Sequence, residues 1–158
     1  MPHWVPNFRH AATLTHNYLY VNASHLIPVR PDQVFEFLSD LENHWQLADG
    51  AISVVHVEPG DGGRVRMRGP LGVHRTAVTS LDHVDPPRQI AGTARVGSRT
   101  HAQVTWTLEP EGTGTNVTLS ARVEDASPLD RLLLIVGGRT WLESRFDRIL
   151  TTLEERFE

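Results

Sequence analysis

Apolar positions in this 158-residue chain follow two periods, and the changes between them divide it into segments. A strand fits Asn17 to Ile27, and Pro28 stops it. Pro31-Asp32-Gln33 then opens a short helix to about Ser39, in which Val34, Phe35, Phe37 and Leu38 follow helical spacing. A second helical piece, Asp40 to Leu47, carries the pair His44-Trp45. From residue 51 the period becomes two. Strands are expected at Ile52–Glu58, Arg64–Arg68, Val73–Val84, Gln89–Val96, His101–Leu108 and around Val117–Val123. Glycine- and proline-rich clusters at Pro59–Gly63, Gly69–Gly72, Asp85–Pro87 and Pro110–Gly114 separate them.

The last segment returns to helical spacing. Ser127-Pro128-Leu129-Asp130 has an N-cap serine, a proline at the first helical position and an acid at the third. Ile135, Leu142, Phe146, Ile149 and Leu153, flanked by Leu132, Val136 and Leu150, predict one apolar stripe on a helix of roughly 25 residues. Gly137-Gly138 interrupts it and marks a bend, a close approach or a mobile segment. Residues 1–16, with His3, His10 and His16, lack clean periodicity and read as a loosely attached arm preceding one domain over 17–158. A curled sheet of about seven antiparallel strands must cover its apolar face. The final helix is the one element long enough to do so, which makes an α+β fold.

Composition narrows the chemistry. The chain has no cysteine and all fifteen of its cations are arginine, which excludes thiolate and Schiff-base catalysis. A formal charge of −4 argues against a nucleic-acid partner. No apolar run is long enough to insert in a membrane and no secretory leader is visible, so the expected location is cytoplasmic. The nine histidines form no metal-binding spacing, and no cofactor or metal is expected.

Residues Leu26 to Asp40 resemble the opening of the helix-grip superfamily, the START-related proteins that include the birch pollen allergen, bacterial polyketide cyclase/dehydrases and lipid carriers. His83 to Arg88 resembles that family's mid-sheet corner, and Trp106-Thr107-Leu108-Glu109-Pro110 with Gly114 to Val117 its penultimate hairpin. Trp141 to Leu153 resembles its closing helix. The resemblance covers about residues 17 to 157 and implies an internal cavity between sheet and helix that holds a lipid, polyketide or quinone-like molecule.

On that reading Phe35, Trp45, Met67, Val78, Trp106, Leu119, Leu142 and Phe146 are expected to line the cavity. Arg139 falls on the inward stripe, where a cation needs a carboxylate, a ligand anion or water. A break at the glycine pair would instead turn it to solvent. Arg64, Arg66, Arg68 and Arg75 are expected to form a basic stripe on the outer face. Trp141, off the stripe, suits a helix flank or a homodimer contact. His74 and His101 are expected to face solvent, whereas His25 and His56 could face either way. No carboxylate–histidine pair is visible, so non-covalent binding of a small hydrophobic molecule ranks above a polyketide cyclase, aromatase or dehydrase. A protein-interaction module with a collapsed cavity is the third reading, and a cavity below roughly 300 Å³ would favour it.

Overall fold

The computed structural model describes residues 19–48, 52–58, 62–68 and 74–158, the segment 52–58 through its backbone alone. The expected arm over 1–16, the turns at 59–61 and 69–72 and the His56 side chain lie outside the described residues. The elements run in the order β1 (Leu19–Ile27), α1 (Pro31–Leu38), α2 (Leu41–Gln46), β2 (Ile52–Glu58), β3 (Gly62–Arg68), β4 (His74–Asp85), β5 (Gln89–Val96), β6 (Thr100–Glu111) and β7 (Gly114–Asp125). The chain then closes with α3 (Pro128–Leu133), a π-type turn (Leu134–Gly138) and α4 (Arg139–Arg156).

The strands form one antiparallel sheet in the order β1-β7-β6-β5-β4-β3-β2. Strands β1 and β2 follow each other in sequence yet form opposite edges, so α1 and α2 carry the chain across the sheet. Helix α4 packs chiefly against β1. The result is a curved sheet gripping a terminal helix, a helix-grip architecture.

Local chemistry accounts for most boundaries. Pro31 sits in the first turn of α1, and Asp40 caps α2 by accepting from the Glu42 amide at 3.0 Å. Ser127 caps α3, its hydroxyl accepting from the Asp130 amide at 3.2 Å. The β6–β7 hairpin is tighter than the turn cluster suggested. Strand β6 extends through Pro110 to Glu111, which pairs with Gly114. The turn is left to Gly112, at φ +59, and Thr113.

The apolar stripe predicted through residues 132–136 does not survive the glycine pair. Gly137 adopts φ +118, open to glycine alone at low cost, and a Cβ on Gly138 would lie 2.6 Å from the Leu133 carbonyl oxygen. Both glycines are therefore required, one for the bend and one for the close approach. The bend resets the helical phase, so Phe146, Leu150 and Leu153 point inward while Leu132, Val136 and Ile135 face out, Ile135 at 81 % exposure.

Two apolar clusters result. The larger joins β1, β6 and β7 to α1 and α4 through residues such as Ile27, Val34, Leu108, Val117, Leu150 and Leu153. The smaller, Leu41, Trp45, Val65 and Ala77, joins α2 to β3 and β4.

Candidate functional site

Between these clusters lies a cavity of about 210 Å³. Its floor is built by strand alternation. Trp106 on β6 faces the same side as its cross-strand partners Ile90 on β5 and Leu119 on β7. Val65, Met67, Ala77, Thr79 and Ala94 continue the wall across β3, β4 and β5. The roof is helical. Spacing of three and four puts Leu41, His44 and Trp45 on one face of α2, Ala48 follows in the turn after it, and Phe146 and Ile149 come down from α4.

The wall is almost wholly apolar. Ser80 and Thr93 border the cavity, but both hydroxyls donate to the exposed carboxylate of Asp82. The Thr79 hydroxyl donates to the Gly63 carbonyl at 3.3 Å. Besides the indole N–H groups of Trp45 and Trp106, the remaining polar side chain is that of His44. Its Nε2 lies 2.6 Å from the Leu38 carbonyl oxygen, which can only accept, so Nε2 carries the proton. The adjacent Asn43 amide caps the Phe37 carbonyl at 2.7 Å. Together these side chains satisfy the C-terminal carbonyls of α1 and fix the orientation of α2. The His44 ring tilts against Trp106 with centroids 5.4 Å apart. Burial holds its pKa below the ordinary histidine value, against smaller opposing effects from the Leu38 carbonyl and Asp40. His44 is accordingly neutral near pH 7.

The predicted site residues divide. Trp45, Met67, Trp106, Leu119 and Phe146 border the cavity. Phe35 and Leu142 instead pack against the larger cluster, away from it. Val78 is a correction: it lies on the outer face, 38 % exposed, because inward positions on β4 fall on Ala77, Thr79 and Leu81. Arg139 is another. The glycine break turns it outward, where it donates to Glu143 at 3.1 Å and to the Tyr20 carbonyl at 3.4 Å.

The basic stripe also loses a member. Arg64, Arg66 and Arg68 are exposed, but Arg75 faces inward beside Met67 and pairs with the largely buried Asp130. Asp130 also accepts from the hydroxyls of Thr100 and Ser127. This cluster joins the start of α3 to β4 and β6. Every acceptor in it is occupied by the fold itself.

A histidine–carboxylate arrangement does exist, and sequence reading missed it. His25 on β1 faces α4, with Nε2 2.7 Å from Asp147 and Nδ1 3.3 Å from Glu154. Burial alone would lower its pKa, but the two carboxylates outweigh that and raise it. The partners lie seven residues apart, two turns of one helix face, a spacing that becomes meaningful only once α4 is laid along β1. The group borders no part of the cavity. Among the described residues no cluster of histidines and carboxylates has the makings of a metal site.

A wider groove of about 860 Å³ opens between α1, the end of α2 and the end of α4, lined by Gln33, Glu36, Phe37, Arg156 and Phe157 among others. We place the site in the smaller cavity because its walls are apolar and more enclosed, whereas charged and amide groups open to water line the groove. Among the described residues no helix is long and apolar enough to cross a membrane.

Solved structures share this architecture. TTHA0849 from Thermus thermophilus is 25% identical, with a TM-score of 0.69 over 88% of this chain and 97% of its own. Ms6760 from Mycobacterium smegmatis is 14% identical, with a TM-score of 0.64 over 89% and 91%. A START superfamily protein from Mycobacterium smegmatis is 14% identical, with a TM-score of 0.63 over 87% and 96%. No curated protein matches the chain in sequence. A family model does: residues 19–158 match the family described as polyketide cyclase / dehydrase and lipid transport. With the grip topology, the apolar hollow and that match in agreement, the chain belongs to the polyketide cyclase / dehydrase and lipid transport family.

Proposed function

We propose that this chain binds one small apolar molecule, without covalent chemistry, in the cavity between α2, α4 and strands β3 to β7. The observation that carries this reading is an unfilled hollow with an almost wholly apolar wall, whose polar side-chain groups are His44, two indole N–H groups and hydroxyls that already donate elsewhere. Size limits the guest. At about 210 Å³ the cavity is smaller than the roughly 300–1,000 Å³ of drug-sized sites. An apolar hole of about 150 Å³ is enough to hold benzene. The space therefore suits one ring or two, and a multi-ring polyketide or long acyl chain would require α2 to move away from the sheet.

A cyclase or dehydrase is the second reading, favoured by His44 as a neutral base at the wall. It lacks support from any second acid or base in that wall among the described residues, so binding is the reading adopted. The collapsed-cavity interaction module draws on the volume alone. Against it stands the apolar lining, which is left without partner atoms rather than filled.

The test is native mass spectrometry of the freshly purified full chain, followed by titration with propylbenzene and naphthalene. A bound small molecule, or saturable binding of either probe that Ala94→Leu removes, supports the proposal. Absence of any bound species together with no saturable binding overturns it.

A further inference from the structure

Resting on the binding reading, a side-chain acceptor at the cavity wall, Nδ1 of His44, narrows the ligand class. Because Nε2 of His44 donates to the Leu38 carbonyl, its Nδ1 presents a lone pair and no proton. No partner for Nδ1 is found among the described residues. Nor is it sealed off: no fully buried side-chain nitrogen or oxygen there lacks a partner, so Nδ1 retains accessible surface. The ring is closely surrounded by protein yet only part-buried. Both are true of a group that borders an internal hollow.

We infer that His44 makes this cavity selective for a compact aromatic molecule bearing a hydrogen-bond donor, a hydroxyarene being the simplest, with Nδ1 accepting its hydroxyl proton. The aromatic preference comes from the surroundings of that atom. Trp106 lies against the His44 ring, and Trp45 and Phe146 complete an aromatic rim on which a second ring can stack at an edge or an offset. The donor preference follows from what Nδ1 loses otherwise. Water can serve it while the cavity is empty. A guest with no donor displaces that water and leaves a desolvated acceptor, whereas a hydroxyl replaces the lost bond. The fold holds the acceptor still, since Nε2 is anchored to the end of α1 and the ring is backed by Trp106, so little ordering cost falls on the ligand. The walls supply no cation, so the inference concerns neutral phenols and not carboxylates.

The experiment compares 4-propylphenol, its methyl ether and propylbenzene against the full chain at pH 7.5 by NMR titration. The phenol is expected to bind about tenfold more tightly than the ether, as one hydrogen bond in a dry site predicts. His44→Phe should abolish that ratio, with phenol and ether then binding alike. Since that variant also removes the cap on Leu38, a second readout uses the unaltered protein. The nitrogen resonance of His44 Nδ1 should shift on adding the phenol and stay in place on adding the ether. Equal binding of phenol and ether, or an unmoved Nδ1 resonance with the phenol bound, overturns the assignment of His44 alone. Failure of all three probes overturns this inference, and together with an empty native mass spectrum it overturns the binding reading as well.

Discussion

The two halves of the concave face are built from the same kind of alternating strand, yet one is solid and the other hollow. Under α4, inward positions carry Ile27, Leu108 and Val117, met from above by Leu150 and Leu153, and the space closes. Toward α2 the inward positions shrink to Ala77, Thr79, Gly92 and Ala94, and α4 reaches this side only through Phe146 and Ile149. The small inward side chains on β4 and β5 leave space there. A void lining loses partner atoms on one side, so the hollow half contributes less to stability than its apolar composition suggests.

Truncation should expose that contrast most strongly. Leu150→Ala, at a fully buried position in the solid half, is expected to cost about 2–5 kcal/mol in chemical denaturation. Met67→Ala, part-buried beside the cavity, should cost about 1 kcal/mol, because one side of it already lacks neighbours. Equal losses would mean the two halves are packed alike.

The next effect concerns what ties the hollow half to the C-terminal segment. Asp130→Ala leaves Arg75 without its carboxylate at a largely buried position and frees the hydroxyls of Thr100 and Ser127. A loss of about 2–3 kcal/mol is expected, toward the lower end for breaking a buried pair because both partners keep some contact with water. A loss no greater than that of an exposed pair such as Arg139–Glu143, about 0.5 kcal/mol, would show that the cluster does not hold α3 in place.

Filling the hollow sharpens the comparison from the other side. Ala94→Leu should lower affinity for propylbenzene more than tenfold while leaving stability unchanged or raising it by up to about 1 kcal/mol. A marked destabilisation measured by denaturation would show that Ala94 borders packed atoms instead.

The smallest effect is pH dependence, where the two halves carry opposite signs. His25 binds its proton more tightly when folded, so its contribution is complete below the ordinary value of 6.5 and disappears as pH rises through its raised folded pKa. His44 binds its proton less tightly when folded. Its contribution is complete above 6.5 and declines as pH falls from there toward its lowered folded pKa. Denaturation midpoints across pH 5–8 should therefore lose their alkaline-side slope in His25→Gln and their acid-side slope in His44→Gln. The same slope change in both variants would contradict the assignment.

The element order, the capped helix starts at Asp40 and Ser127, and the alternation that turns Trp106 inward were legible in the sequence, because each depends on neighbours a few residues away. So was the grip architecture, through the resemblance of its motifs. Parity on β4 was not, since Val78 is the larger apolar residue and only strand pairing assigns the inward place to the small Ala77. The phase of the C-terminal helix was lost at Gly137, whose positive φ cannot be read from spacing. His44 carried a weak signal, lying three residues after Leu41 and four before Ala48 on the face that carries Trp45. Its meaning waited on the position of the Leu38 carbonyl.

What the chain determined by itself was the set of strands, the helix ends and the exclusion of thiol and lysine chemistry, since these rest on residue type and local spacing. The tertiary structure alone decided where the hollow lies, which arginine turns inward and which histidine meets carboxylates or the cavity. Those outcomes depend on residues far apart in sequence and on how much volume each side chain brings to a shared interior.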